Sequence, residues 1–448
     1  MTLRFYTFVF FLLFLIALFG IVLSGCSDSG VIPEDTEPID TTSVPMQISD
    51  FTSAEDCKSC HPQYYDEWSG SSHAYAIKDP VFQALRNVGQ SLYIGSLDGA
   101  CTKCHSAAGM RTGDIKWGPY QVDQLHPVSQ EGVTCDICHS ISNVHTISNA
   151  GFDLAPSDTK FGSTQDPDSN SFHKSEYSPL FESSDLCGSC HDLKTEDDVP
   201  LEAAYLEWET AGFGMTAKTC QDCHMPEYIG EMIPGGQQRT LHKHTFVGGA
   251  IPLIDFPNKA EHMLLVEEML QSALSMSLSA PTTVTTGTVD SLTVSLTNDK
   301  TGHKVPTGTP FNRQMWLSVL IKDEIGNIIF ESGQFDANGD LKNEYSEFPE
   351  RDSALYNAQS TLIRRNGTHA DGTWDAATID NRSIAPNQTK NVLYLFEIPD
   401  GLSGTLEAEV KLRYRSFGPY FLRDLGLDSL LPIPIVDMNV DTITITIE

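Results

Sequence analysis

One pentad, Cys-x-x-Cys-His, occurs five times between Cys57 and His224: Cys57-Lys58-Ser59-Cys60-His61, Cys101-Thr102-Lys103-Cys104-His105, Cys135-Asp136-Ile137-Cys138-His139, Cys187-Gly188-Ser189-Cys190-His191 and Cys220-Gln221-Asp222-Cys223-His224. Two thiols at this spacing with an imidazole next to them form the attachment pattern for c-type haem. The thiols form thioethers to the two vinyl groups, and the His faces the iron as proximal ligand. Ten of the 11 Cys are used this way, leaving Cys26. A disulfide framework would not place His after every second Cys, and zinc ribbons pair Cys-x-x-Cys knuckles without that His. The expectation is five haem c, with His61, His105, His139, His191 and His224 as proximal ligands. A segment so dense in macrocycles builds no ordinary apolar core. The rings become the core, wrapped by short helices and long loops such as Ser157–Ser171.

Haem attachment takes place outside the bacterial cytoplasm, so an export signal is expected. Residues 1–25 carry one basic residue, Arg4, and an apolar run from Phe5 to Leu23, which reads as a processing segment. The run is also long enough for an uncleaved membrane anchor. Its closing tetrad, Leu23-Ser24-Gly25-Cys26, resembles a bacterial lipobox, in which Cys26 is lipidated and becomes the mature N-terminus; acyl chains there would hold the protein to a membrane. Ser27 after the Cys points to the outer membrane by the lipoprotein sorting rule. Residues 26–50, rich in Ser, Pro, Thr, Asp and Glu, read as a disordered acidic tether.

The formal charge of −32 excludes most nucleic-acid roles, since a phosphate backbone is held by Lys and Arg. A basic redox protein or a metal-containing acceptor suits this surface better. The acidity equally suits a role in solubility alone.

Beyond the five proximal imidazoles stand nine others: His73, His126, His145, His173, His242, His244, His262, His303 and His369. Bis-His coordination at every iron suits electron transfer, whereas an open face would bind and reduce a small molecule. His73, His173, His244, His303 and His145 are the distal candidates. His242 rivals His244 and His126 rivals His145. His303 stands in a Gly- and Pro-held turn from which it could reach across and pin two domains together. His262 and its neighbouring Met residues read as packing, and His369 as surface. Tyr65-Asp66-Glu67-Trp68 recurs as Tyr205-Leu206-Glu207-Trp208, a weak internal repeat with aromatic rings suited to porphyrin faces. His73 follows the first Trp by five residues, and Phe213 stands at the equivalent place after the second.

The expected fold is multi-domain: a mainly α and irregular multihaem cytochrome c domain over 51–255, a linker helix over 256–280, and an all-β immunoglobulin-like sandwich over 281–448. The helix rests on helical spacing of apolar residues from Pro257 to Met276. The sandwich rests on seven strand-like runs: Thr282–Thr286, Ser291–Leu296, Met315–Ile321, Ile328–Glu331, Val392–Ile398, Leu406–Tyr414 and Asp441–Ile447. The Asp336–Asp340 turn echoes a calcium loop but lacks its closing Glu, so it reads as a hairpin turn.

The chain resembles the cytochrome c554-type multihaem family, in particular members with a C-terminal β-sandwich. The resemblance rests on Cys57–His61 with Tyr65, Trp68 and His73-Ala74, on Gly132-Val133-Thr134-Cys135, and on Ser184–Asp192. It continues through Leu201-Glu202, Tyr205-x-Glu207-Trp208, Thr219–Pro226, Gly302–Gly308, Arg313, Trp316, Asp380–Arg382 and Tyr414-Arg415. It implies periplasmic or cell-surface electron transfer through closely stacked haems, although the family also holds catalytic relatives. No Cys-x-x-Cys-Lys and no nucleophile–base constellation is present. The leading reading is a lipid-tethered electron carrier rather than an enzyme. An oxidoreductase acting on a small nitrogen or sulfur species at one open haem is the alternative, and a polymeric haem conduit, in which subunits oligomerise, is a third.

Overall fold

In the C-terminal half, apolar residues two apart along the chain turn to one side and become the wall between two sheets. The computed structural model describes residues 45–93, 98–116, 118–167, 170–212, 218–370 and 372–448. The leader, Cys26, most of the tether and Phe213 lie outside the described residues. Residues 46–448 form one compact unit.

All seven expected strand regions are strands. One sheet runs in the order Thr283–Val284, Val436–Ile447, Gly404–Arg415, Gln314–Asp323, Ile328–Ser332. The other runs Thr389–Glu397, Val289–Thr297, Ser275–Ser279. Pairing is antiparallel except between Thr283–Val284 and Val436–Ile447. In register, Leu317 lies opposite Leu412, and Val294 opposite Val392. Leu292, Val294, Leu296, Tyr394 and Phe396 of the smaller sheet share a buried cluster with Met315, Leu317, Val319, Ile321, Val410 and Leu412 of the larger. Alternation of period two produces this directly: one residue in two faces the partner sheet and its neighbour faces out.

The helix before the sheets is shorter than its apolar pattern predicts, running Lys259–Gln271. Ser275–Ser279, Ser-Met-Ser-Leu-Ser, instead pairs with Val289–Thr297 as an edge strand, because its alternation has the period of a strand. The helix buries His262, Val266 and Leu270, four residues apart on one face. His262 is packing, edge-on to Phe256 at 6.2 Å. Asp336 closes a hairpin turn by accepting from the amides of Asn338 and Asp340 at 2.8 and 3.0 Å.

The Cys-rich half is built mostly of short helices and two-stranded ladders, with one longer helix, Pro80–Tyr93. Each pentad begins on or within a helix: Ala54–Lys58, Asp98–His105, Cys135–Cys138, Asp185–Gly188 and Cys220–His224. Four of these follow a Ser or Thr (Ser53, Thr134, Ser184, Thr219), residue types that favour helix starts. The stretch Ser157–Ser171, expected to be irregular, contains the strand Thr159–Gly162, paired in parallel with Lys174–Tyr177. Lys160 Nζ, 2.5 Å from Asp136 Oδ1, ties that strand to the third pentad. The two halves meet through hydrogen bonds: Tyr414 Oη donates to Gly249 O at 2.8 Å, and Ile251 N donates to Ser416 Oγ at 2.9 Å. Among the described residues no helix is long and apolar enough to cross a membrane.

Leu317 is fully buried between the sheets. Leu317→Ala is expected to cost about 2–5 kcal/mol of stability through lost contacts and a residual cavity, measured as a lowered urea midpoint by far-UV circular dichroism.

Candidate haem-binding site

A cavity of about 2000 Å³ runs through the Cys-rich half, and all ten pentad cysteines and all five pentad imidazoles line it. Protein interiors pack to crystal density, so a space this large inside a compact fold marks where another body sits. Among the described residues no three His, Cys, Asp or Glu converge as a metal cage.

Across the cavity the imidazoles face one another in pairs. Ring centroids lie 6.3 Å apart for His61 and His173, 6.1 Å for His73 and His191, 6.4 Å for His139 and His244, and 6.2 Å for His224 and His303. Two imidazoles sharing one iron, with metal–nitrogen bonds of about 2 Å on each side, put their centroids roughly 6 Å apart. The residues present therefore fit a haem between each pair.

Second contacts turn the rings the right way. Every proximal Nδ1 meets an oxygen acceptor: His61 the carbonyl of Met232 at 3.0 Å, His105 that of Ala76 at 2.9 Å, His139 that of Phe161 at 2.6 Å and His224 that of Val247 at 2.6 Å. His191 alone meets a carboxylate, Glu202 Oε1, at 2.8 Å. Three distal rings follow the same rule, with His173 and His303 donating to the carbonyls of Lys174 and Lys304 and His244 to that of His242, at 3.1, 2.9 and 2.9 Å. An Nδ1 proton committed to an oxygen leaves Nε2 as the free lone pair, which is how metal-ligating His is held. Among the described residues His73 Nδ1 has no partner. Burial lowers His73 to about 3 and His244 to about 4, so both rings stay neutral, as a ligand must. At His191 burial pulls down as well, but the charge and hydrogen bond of Glu202 outweigh it and hold the ring up at about 9.

His73 owes its place to Gly132, whose φ is +73°. A Cβ there would lie 2.4 Å from the His73 carbonyl, and the next amide, Val133 N, donates to that same oxygen at 3.0 Å. The Tyr–Trp repeat is also geometric. Tyr65 and Trp68 lie 5.8 Å apart at 54°, Tyr205 and Trp208 5.5 Å apart at 49°. Each indole donates to the carbonyl two residues before a later pentad, Trp68 to Val133 at 2.7 Å and Trp208 to Lys218 at 3.0 Å. The first pentad is thereby docked on the third, and the fourth on the fifth.

The pentads also pack on one another. Cys104, Ile137 and Cys190, from the second, third and fourth, share one buried cluster, and Cys220 N of the fifth donates to Ser184 Oγ, just before the fourth, at 3.0 Å.

The remaining candidates face no pentad ring among the described residues, although His242 and His369 also line the cavity. His145 is exposed and faces Asp153 at 3.5 Å, opposite no proximal ring. His126 caps a short helix, accepting from Val128 N at 3.4 Å. His242 donates to the Met225 carbonyl at 2.7 Å. Exposed His369 lies 6.5 Å from Tyr345. His105 consequently has no second imidazole opposite it among the described residues. Phe82 stacks flat on it at 3.9 Å and 6°. Phe82, Leu85, Val88 and Leu92 of the helix Pro80–Tyr93 line the cavity beside it.

His303 comes from the sheet half, and Glu207 hangs its turn in place. The buried Glu207 carboxylate accepts from Lys304 N at 3.1 Å and Thr307 Oγ1 at 2.8 Å, with Lys304 Nζ at 3.5 Å. Asn298 and Thr301 hold the His303 carbonyl from the other side at 2.9 and 2.7 Å. Glu202, Glu207 and Phe82 were not singled out as site residues by sequence reasoning. Glu207 carried one signal, its place inside the repeated Tyr-x-Glu-Trp.

Comparison with known proteins agrees with this geometry. Residues 56–140 match the family model described as cytochrome c554 and c-prime. The penta-heme cytochrome c552 from Thermochromatium tepidum superposes with a TM-score of 0.62 at 21% identity, covering 89% of this chain and 100% of that one. That likeness shows the fold. MtrC from Shewanella baltica (TM-score 0.19, 15% identity, 78% of this chain and 45% of that one) and a CARDB domain from Pyrococcus furiosus (0.19, 11%, 39% and 87%) share too little geometry to bear on it. No curated protein matches the sequence. With its pentads, facing imidazoles and matched segment, the chain is similar to the multihaem c-type cytochromes, whose fold it shares.

Proposed function

We propose that the chain carries five haem c, one on each pentad, and passes electrons among them while tethered outside the cytoplasm. The observation that carries this reading is the set of four imidazole pairs at 6.1–6.4 Å, each joining a pentad His to a distant one. Iron with imidazole on both faces has no site for a substrate and changes only its electron count, which suits a carrier. The packing of pentads on one another supports haems close enough to exchange electrons. The tetrad ending in Cys26 supports a lipid anchor, and with Ser27 an outer-membrane address. The net charge of −32 supports a basic redox protein or a metal-containing acceptor as partner and argues against nucleic acid. Two sheets around one core, in a half that also supplies His303, support an immunoglobulin-like module that completes a haem site.

A second reading rests on His105. An iron held there has imidazole on one face only among the described residues, and the neighbouring wall is apolar. Such an iron can bind a small nitrogen or sulfur species, and the other four would feed it electrons.

Matured protein is expected to carry five haems by mass and by pyridine haemochrome assay; fewer would overturn the count. Its ferric EPR spectrum should be mainly low-spin, with one high-spin iron if the face opposite His105 is open. Azide or nitric oxide should then convert that signal alone, whereas a wholly low-spin, unresponsive spectrum removes the second reading. His303→Ala should add one further high-spin iron while leaving haem content unchanged. An unaltered spectrum would mean that His303 is not a ligand.

A further inference from the structure

Of the five pentad imidazoles, four rest on backbone carbonyls and one, His191, on a carboxylate. Glu202 reaches it from the strand Pro200–Glu202, which pairs with Leu193–Lys194 just after the pentad. This short ladder fixes the distance between carboxylate and ring. Both side chains turn their accessible faces into the cavity, so a macrocycle there would seal the pair from water. An anionic acceptor makes an imidazole a stronger donor to its metal than a neutral carbonyl does. Stronger donation favours the ferric over the ferrous state, and the effect is larger where water is excluded.

The position matters as much as the chemistry. The fourth pentad shares a buried cluster with the second and third, in which Cys104, Ile137 and Cys190 pack, and Cys220 N of the fifth donates to Ser184 Oγ just before it at 3.0 Å. The haem on His191 is therefore a junction between the second, third and fifth pentads.

We infer that Glu202 is a redox-positioning residue that holds the haem on Cys187, Cys190 and His191 at the most negative potential of the array, so that the junction is its last member to be reduced. The step is a single electron entering or leaving iron; no other bond forms or breaks, and the Nδ1 proton stays between His191 and Glu202. This rests on the haem reading above.

Spectropotentiometric titration of the fully loaded Glu202→Gln protein tests it. The most negative wave should move to more positive potential while the other waves stay, and Glu202→Asp, which keeps the anion, should return it toward the wild-type position. With haem content unchanged, a titration in which no wave moves, or in which a different wave moves, overturns the role of Glu202 alone. Wild-type protein that carries no haem overturns both readings. Should the variants fail to accumulate, near-infrared magnetic circular dichroism of the ferric wild type decides. One low-spin haem with imidazolate character, its charge-transfer band set apart from those of the neutral bis-imidazole haems, supports the inference, and its absence overturns it.

Discussion

The fold depends on a hydrogen bond from the far side of each ring. An imidazole presents Nε2 to iron only when Nδ1 has somewhere to put its proton, and of the five pentad rings and the four that face them, eight have such a place. Four of the five pentad rings are served from distant segments: Met232 serves His61, Ala76 serves His105, Phe161 serves His139 and Val247 serves His224. Each of those carbonyls therefore serves both as a fold contact and as part of a ligand. The Cys-rich half gains its order from such bonds together with small apolar clusters such as that of Phe51, Val128, Ile137, Ile141 and Phe152.

A structural echo runs through that half. Pentad, Tyr-x-x-Trp and the carbonyl before a later pentad recur as one unit at Trp68–Val133 and again at Trp208–Lys218. In both copies the Glu holds a segment that presents a distal ring. Glu67 accepts from His244 N and Lys243 Nζ, each at 2.7 Å, and Glu207 hangs the turn that presents His303. The first copy leads on in addition to His73, which crosses to the fourth pentad, and the second draws the β half into the cavity.

Much of this was legible before any coordinates. The pentads name ten cysteines and five proximal imidazoles because the chemistry is local, and His73, His173, His244 and His303 stand opposite pentad rings as candidates. Strands were readable where alternation is strict, and the helix was drawn too long because Ser275–Ser279 carries apolar residues at a spacing both periods tolerate. Which distal ring meets which proximal one was not readable, since pairing is a property of the wrapped chain. Nor was the solitary state of His105: His145 reads as a distal candidate and Phe82 as no part of the site until one is seen at the surface beside Asp153 and the other flat against the ring. Glu202 enters the sequence reading only through the resemblance, because a carboxylate eleven residues past His191 usually faces water.

The four facing pairs also overlap along the polypeptide. His61 reaches to His173, His73 to His191, His139 to His244 and His224 to His303. Any peptide bond between the first and the last of these lies inside at least one of the four spans. There is thus no point at which this stretch can be divided into fragments that keep their own coordination. It can be inherited, exchanged or grafted only whole, with the turn from the sheets included.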